Sequence, residues 1–224
     1  MFGNNPILPP KKSDGLTLDV QEIFKTFQGE GVFTGFPAIF LRLGGCNLTC
    51  KFCDTEFDSD KNWKLTEILK EIENLSKNGQ KITHKLVVIT GGEPMRQNLK
   101  PLITQLIEKK YQIQIETNGT LFQDLPQEID IICSPKNSSG KYYEIRKDLL
   151  SRISAFKILI SKNDQNYNFV PDIVKSDPDI PIYLQPIDEY DEEKNAQNRK
   201  LTLELAEKNG YRISLQTHKF WKIR

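Results

Sequence analysis

Three of the chain's four cysteines fall in one short stretch, GGCNLTCKFCDT, as Cys46, Cys50 and Cys53. Thiolates are soft ligands that select zinc, copper(I) or iron–sulfur clusters. A chain reaches at most about 3.3–3.6 Å per residue, so a curled loop of this length can bring three sulfurs around one centre. Gly44 and Gly45 precede the loop and allow a tight turn and close backbone approach. Three cysteines on a four-iron cubane leave one iron open, the counterpart of a catalytic zinc that keeps one position free of protein. A zinc site needs a fourth ligand, and Cys133, His84 and His218 are the candidates. A third reading is that the thiols are core residues, since free cysteine is often buried.

The elements that must position this loop are legible in the hydrophobic pattern. Apolar runs rich in Val, Ile, Leu and aromatics occur at 37–45, 85–94, 111–119, 129–136, 155–161, 180–186 and 211–218, with another at 16–24. Such runs read as buried strands. Leu65, Ile68, Leu69, Ile72 and Leu75 recur at helical spacing, with Thr66 as the expected N-cap. Leu99, Leu102, Ile103, Leu106 and Ile107 repeat the pattern, and a third helix is expected over 198–209, stopped by Asn209 and Gly210. Strand–helix alternation predicts an α/β fold, a partial (β/α) barrel of about six parallel strands. The unusual residues gather where the runs end, in GGC, TGGE, ETNG, SPK, QP and QTH. In α/β barrels and open α/β sheets, sites collect at the carboxyl ends of the strands.

The chain has 224 residues, enough for one domain that buries its own core. A Pro-rich polar arm over 1–15 is expected to be loosely held, followed by a single catalytic domain over 16–224. Lys and Arg number 31 against 30 Asp and Glu, a net charge of +1, which gives no global attraction to nucleic acid or an acidic membrane. No apolar stretch is long enough to span a bilayer, and the N-terminus lacks the pattern of a secretory signal. A cytoplasmic setting is expected, in which clustered cysteines are ligands or catalysts sooner than disulfides.

The spacing Cys46-x-x-x-Cys50-x-x-Cys53 resembles the signature of the radical S-adenosylmethionine enzymes. FQGEG (27–31), PAIFLRLGGCNLTCKFCDT (37–55), TGGEP (90–94), ETNG (116–119), SPK (134–136), LQP (184–186) and SLQTHK (214–219) occur in that order. Together, from about residue 20 onwards, they resemble the 7-carboxy-7-deazaguanine synthase family.

That resemblance implies a 4Fe–4S cluster on Cys46, Cys50 and Cys53 whose open iron takes the amino and carboxylate groups of S-adenosylmethionine. It implies a radical that takes the hydrogen from C6 of 6-carboxy-5,6,7,8-tetrahydropterin, followed by ring contraction, loss of ammonia and formation of 7-carboxy-7-deazaguanine. It places Phe52, Cys53, Asp54, Gly92, Glu93, Glu116, Ser134, Pro135, Lys136, Gln185, Pro186, Ile187 and Asp188 around S-adenosylmethionine. Thr55 would contact Mg2+ bound to the substrate carboxylate. Phe27, Gln28, Gly29, Glu30, Arg42, Thr90 and Arg224 would hold the pterin. An electron donor such as flavodoxin or ferredoxin and a homodimer are implied as well. The family more often has Trp where Phe52 stands, which keeps an aromatic face.

Arg42 also has a reading of its own. On strand 37–45 it shares a face with Ala38 and Phe40. A guanidinium buried without an anion is costly, so a substrate carboxylate or an internal partner, Glu30 or Glu116, is expected beside it. Two alternatives remain open at the level of sequence. One is an activating enzyme of the same superfamily that places a glycyl radical on a partner protein. The other is a zinc-stabilised binding module without catalysis.

Overall fold

The computed structural model describes residues 5–53, 61–175 and 177–224. Among them, nine strands form one sheet: β1 (Thr17–Phe27), β2 (Pro37–Leu43), β3 (Asn62–Lys64), β4 (Leu86–Gly91), β5 (Gln112–Thr117), β6 (Asp130–Cys133), β7 (Ala155–Ile160), β8 (Ile182–Pro186) and β9 (Arg212–Ile213). The order across the sheet is β9, β8, β7, β6, β5, β4, β2, β1, β3. Neighbours are parallel from β2 through β9. β1 runs antiparallel to β2, and β3 antiparallel to β1. The parallel strands are covered on both faces, which is why β4 opens with four successive buried residues, Leu86 to Ile89.

Helix α1 (Leu65–Ser76) buries Leu65, Ile68, Leu69 and Ile72, each contributing about 1.5–3 kcal/mol when fully removed from water. It starts earlier than a Thr66 cap would allow: Lys64 is the N-cap, and its backbone N–H donates to Glu67 Oε2 at 2.9 Å. Helix α2 (Lys100–Glu108) buries Leu102, Ile103 and Leu106. Helix α3 (Glu192–Asn209) begins six residues before the expected start at 198. Asp191 caps it by accepting from Lys194 N, and its buried face carries Asn198, Thr202 and Ala206, so no hydrophobic stripe marks its first half. Gly210 ends it in the left-handed region.

The ends of the sheet are drawn together. β9 is one edge and β1 lies next to the other, yet the segments that follow them meet. Thr217 N donates to Gly29 O at 3.0 Å, and Gly31 N donates to Ser214 Oγ at 2.9 Å. The sheet therefore curls into an open barrel. The same contacts explain a difference from the expected strand over 211–218. Ser214 N still donates to Leu184 O of β8 at 2.8 Å, and beyond it the chain bonds the turn after β1 and forms α4 (Thr217–Trp221).

The segment over residues 5–15 packs along the cysteine loop. Leu8 N donates to Cys46 O at 2.8 Å and Lys11 N to Arg96 O at 2.7 Å, while Lys11 pairs with Asp19 at 2.7 Å. It is a strap laid across the cysteine loop. No helix among the described residues is long and apolar enough to cross a membrane.

Candidate active site

Cys46, Cys50 and Cys53 are free thiols that line a cavity of about 290 Å3. Cys46 is buried, and burial pushes its thiol up to about 12; burial raises Cys50 as well, against the charge of Lys136. Thiols so placed stay protonated until a metal takes them as thiolates and releases the protons. Leu48 N–H points at Cys46 Sγ at 3.4 Å and Asn5 Nδ2 at Cys53 Sγ at 3.7 Å, donors that favour charge on sulfur. Among the described residues no three Cys, His, Asp or Glu side chains are gathered around one metal-ion position. The three thiols instead line the cavity, and their soft donors and flanking N–H groups fit an iron–sulfur cluster. Two of the candidate fourth ligands for zinc lie elsewhere, while His218 lines the same cavity as the thiols. Cys133 is packed in the main core, His84 Nδ1 lies 2.9 Å from Thr83 Oγ1, and His218 lies against Gly29.

The loop is held from below. Gly92 N donates to Leu43 O and Glu93 N to Gly45 O, both at 3.0 Å, so the end of β4 is stitched to the start of the cysteine loop. Gly91 has φ +116°, and a Cβ there would sit 2.2 Å from Leu43 O. Glu93 is fully buried and faces away from the cavity. Its carboxylate accepts from Met95 N at 3.0 Å, Thr117 Oγ1 at 2.7 Å and Asn118 N at 2.7 Å, binding β4 to the end of β5. Burial raises its carboxyl above the ordinary range, against these donors. Arg96, also buried, donates to Gly44 O and to Asp19 Oδ2, both at 3.3 Å.

Three groups of side chains line the rest of the cavity. On the first wall, Lys136 Nζ donates to Ser134 Oγ at 2.6 Å, Gln185 Oε1 accepts from Ser214 Oγ at 2.8 Å, and Asp188 pairs with Lys219 at 2.5 Å. Pro186 and Ile187 complete this wall, Gly92 lies on the floor, and Phe52 stands edge-on to Tyr167 with ring centroids 4.9 Å apart. The second wall is cationic and aromatic. Phe24 stacks on Phe40 at 5.4 Å, with the guanidinium of Arg42 at 5.6 Å and that of Arg224 at 4.6 Å from the Phe24 ring. Glu22 pairs with both arginines. Thr90 neighbours Arg42 in register.

The third wall is an ionic bridge. Lys157 Nζ lies 2.6 Å from Glu30 Oε2 and 2.7 Å from Glu116 Oε2. Gln216 donates to Glu30 Oε1 at 2.9 Å, and Gln28 and Gln114 donate to Glu116 Oε1 at 3.2 and 2.9 Å. Burial alone would raise the carboxyl of Glu30, but the Lys157 ammonium overturns that and holds it well below its ordinary value. Burial likewise opposes charge on Lys157, yet the two carboxylates hold its pKa above the ordinary lysine value.

The radical S-adenosylmethionine superfamily model matches residues 41–134. A 7-carboxy-7-deazaguanine synthase from Rickettsia prowazekii (strain Madrid E) is 51% identical over 224 residues, covering 100% of this chain and 96% of that protein. The chain belongs to the 7-carboxy-7-deazaguanine synthase family. A second member, from Rhodospirillum rubrum, is 36% identical over 247 residues, with 100% of both chains covered. The crystal structure of QueE from Escherichia coli superposes with a TM-score of 0.75 at 27% identity, covering 92% of this chain and 99% of that one.

Most of the site residues expected from the family resemblance line this one cavity, Phe27, Gln28 and Gly29 among them. Glu93 and Pro135 do not; Glu93 acts as the strut described above. Asp54 and Thr55 lie outside the described residues. Arg42 differs from expectation in two ways. Its side chain is 26% exposed, and its partner is Glu22, with Nε and Oε1 3.4 Å apart, while Glu30 and Glu116 are taken by Lys157. The reason is register: Glu22 sits directly opposite Arg42 across β1 and β2. Glu22 therefore partly balances the Arg42 charge before any substrate carboxylate binds. Lys157 went unread, although a lone lysine inside AFKILIS was the available signal. Gln114 and Glu22 carried no signal beyond being polar within strands.

Proposed function

We propose that this chain converts 6-carboxy-5,6,7,8-tetrahydropterin to 7-carboxy-7-deazaguanine with loss of ammonia. The observation that carries this reading is one cavity lined by three thiols, by two arginines and by two glutamates bridged through Lys157. When bound, the cluster and S-adenosylmethionine together supply a 5′-deoxyadenosyl radical able to take the hydrogen at C6. The protein's own residues do the rest of the positioning. Cys46, Cys50 and Cys53 hold the cluster, and the stitched backbone of Gly92 and Glu93 fixes the floor. Ser134, Lys136 and Gln185 present donors and acceptors suited to the ribose hydroxyls and carboxylate of S-adenosylmethionine. Arg42 and Arg224 offer planar cations to the pterin's carboxylate. Gln28 and Glu30 present an amide and a carboxylate to the amino-pyrimidinone edge of its ring, and Glu116, which the family resemblance placed at S-adenosylmethionine, is reassigned to the same edge because Lys157 bridges it to Glu30.

The magnesium ion expected at Thr55 belongs to this reading; Thr55 lies outside the described residues. A flavodoxin or ferredoxin as electron donor, a homodimer and a cytoplasmic setting complete the proposal. The experiment is direct. Anaerobically reconstituted protein is incubated with reductant, S-adenosylmethionine and the carboxytetrahydropterin, and the deazaguanine acid is measured. Its formation is the expected result; cleavage of S-adenosylmethionine with no deazaguanine acid would overturn the substrate assignment.

A further inference from the structure

The buried cation of the third wall has no part in the chemistry described so far. Lys157 sits in the middle of β7 among Phe156, Ile158 and Ile160, with only 6% of its surface exposed. A lysine in such a place is retained at a cost unless it is fully paired. It is paired twice, with carboxylates that come from the turn after β1 and from β5.

We infer that Lys157 is a positioning residue for pterin recognition, bridging Glu30 and Glu116 so that both face the cavity as charged acceptors. This rests on the proposed substrate. The amino-pyrimidinone edge of a pterin presents N–H donors, which call for acceptors in a fixed array. Two carboxylates placed side by side and away from water cannot both stay ionised unaided, and one takes a proton. A protonated carboxyl turns an acceptor into a donor and clashes with the pterin's own N–H groups. The ammonium between them removes that conflict.

The hydrogen-bond inventory agrees. Each carboxylate has about four lone-pair sites. Glu30 spends them on Gln216 and Lys157, and Glu116 on Gln28, Gln114 and Lys157. Both keep acceptor capacity, and both line the cavity. The other charged groups near the trio are His218, whose charge favours ionised Glu30, and Lys136, which is repelled by Lys157 and attracted by Glu116. Neither bridges the pair.

The test is equilibrium binding of 6-carboxypterin, a fluorescent probe with the same ring edge and carboxylate, to the cluster-loaded protein between pH 6 and pH 8. Iron and sulfide content certify the fold of each variant. The wild-type profile is the reference against which each variant's slope is read, because His218 beside Glu30 is common to all of them. Lys157→Met should bind more weakly and acquire a slope, with affinity falling by up to about tenfold per unit as pH drops below the raised carboxyl pKa. Lys157→Gln, which keeps a donor without the charge, should show the same slope and carries the test if Lys157→Met does not fold. Adding Glu30→Gln to either variant should abolish the slope, because no carboxylate pair is left. A merely structural lysine would give no slope in any variant, and that flat result, or wild-type affinity in Lys157→Met, overturns the inference. Turnover of the carboxytetrahydropterin by the wild type is scored separately. A flat slope with normal turnover sinks the role of Lys157 alone, whereas absent turnover sinks the substrate.

Discussion

Gly92 passes so close beneath Gly45 that a Cβ on Gly92 would lie 1.9 Å from the Gly45 carbonyl oxygen. The TGGEP and GGC motifs, nearly fifty residues apart in sequence, are therefore two halves of one backbone contact. Since the obstacle is main chain and not a flexible side chain, Gly92→Ala must push the cysteine loop out of place. Overpacking of this kind costs about 1–3 kcal/mol. The expected outcome is a Tm lowered by several degrees and a marked loss of bound iron after anaerobic reconstitution, measured by calorimetry and iron analysis.

The cysteines should separate cleanly by role. Cys50→Ala removes a thiol lining the cavity and is expected to lose the cluster and activity together. Cys133 is wholly buried in the core beneath Gly119. Cys133→Ala should keep the cluster and cost on the order of 1 kcal/mol for the small void left behind. Iron and sulfide analysis beside thermal unfolding distinguishes the two; loss of the cluster in Cys133→Ala would contradict the assignment.

Arg42 lies between Glu22 and the cavity, with its guanidinium over Phe24. Arg42→Ala removes a charged hydrogen-bond donor worth about 1.5–3 kcal/mol, which corresponds to a KM for the pterin raised roughly ten- to a hundredfold. Cleavage of S-adenosylmethionine without pterin should change far less. Equal losses in both assays would move Arg42 from substrate binding to scaffold, a role its pairing with Glu22 also permits.

The charge on Glu30 makes a prediction in acid. Its folded pKa is depressed from 4.5 to about 2, first against burial and then through Lys157. A depressed carboxyl contributes stability that is fully present above its unfolded value and is lost as pH falls towards its folded value. The stability difference between wild type and Glu30→Gln, measured by urea unfolding of the cluster-free protein, should be constant from pH 7 to about 5. It should then shrink steadily below about 4.5. A difference that grows in acid would contradict this electrostatic account.

Much of this was legible in the chain because parallel strands buried on both faces leave apolar runs, and site residues stand where those runs stop. Leu86 to Ile89 followed by Gly91 and Gly92 is one example. Other features were hidden for physical reasons. The first half of α3 buries almost nothing apolar, so its periodicity was silent until Asn198. The strap over residues 5–15 is held by backbone hydrogen bonds to Cys46 and Arg96, which leave no side-chain pattern. The partner of Arg42 depended on strand register: Glu22 was invisible as a neighbour until β1 and β2 were paired across a bulge. Lys157 looked like an interruption in a strand because its two partners come from distant segments, Glu30 and Glu116.

The most direct measurement is Mössbauer spectroscopy of anaerobic, iron-57-reconstituted protein with and without S-adenosylmethionine. The expected result is a 4Fe–4S cluster in which one iron changes its signal when S-adenosylmethionine is added, while Cys46, Cys50 and Cys53 account for the other three. A cluster whose irons all ignore S-adenosylmethionine, or a colourless protein that binds a single zinc in place of iron and sulfide, would contradict it.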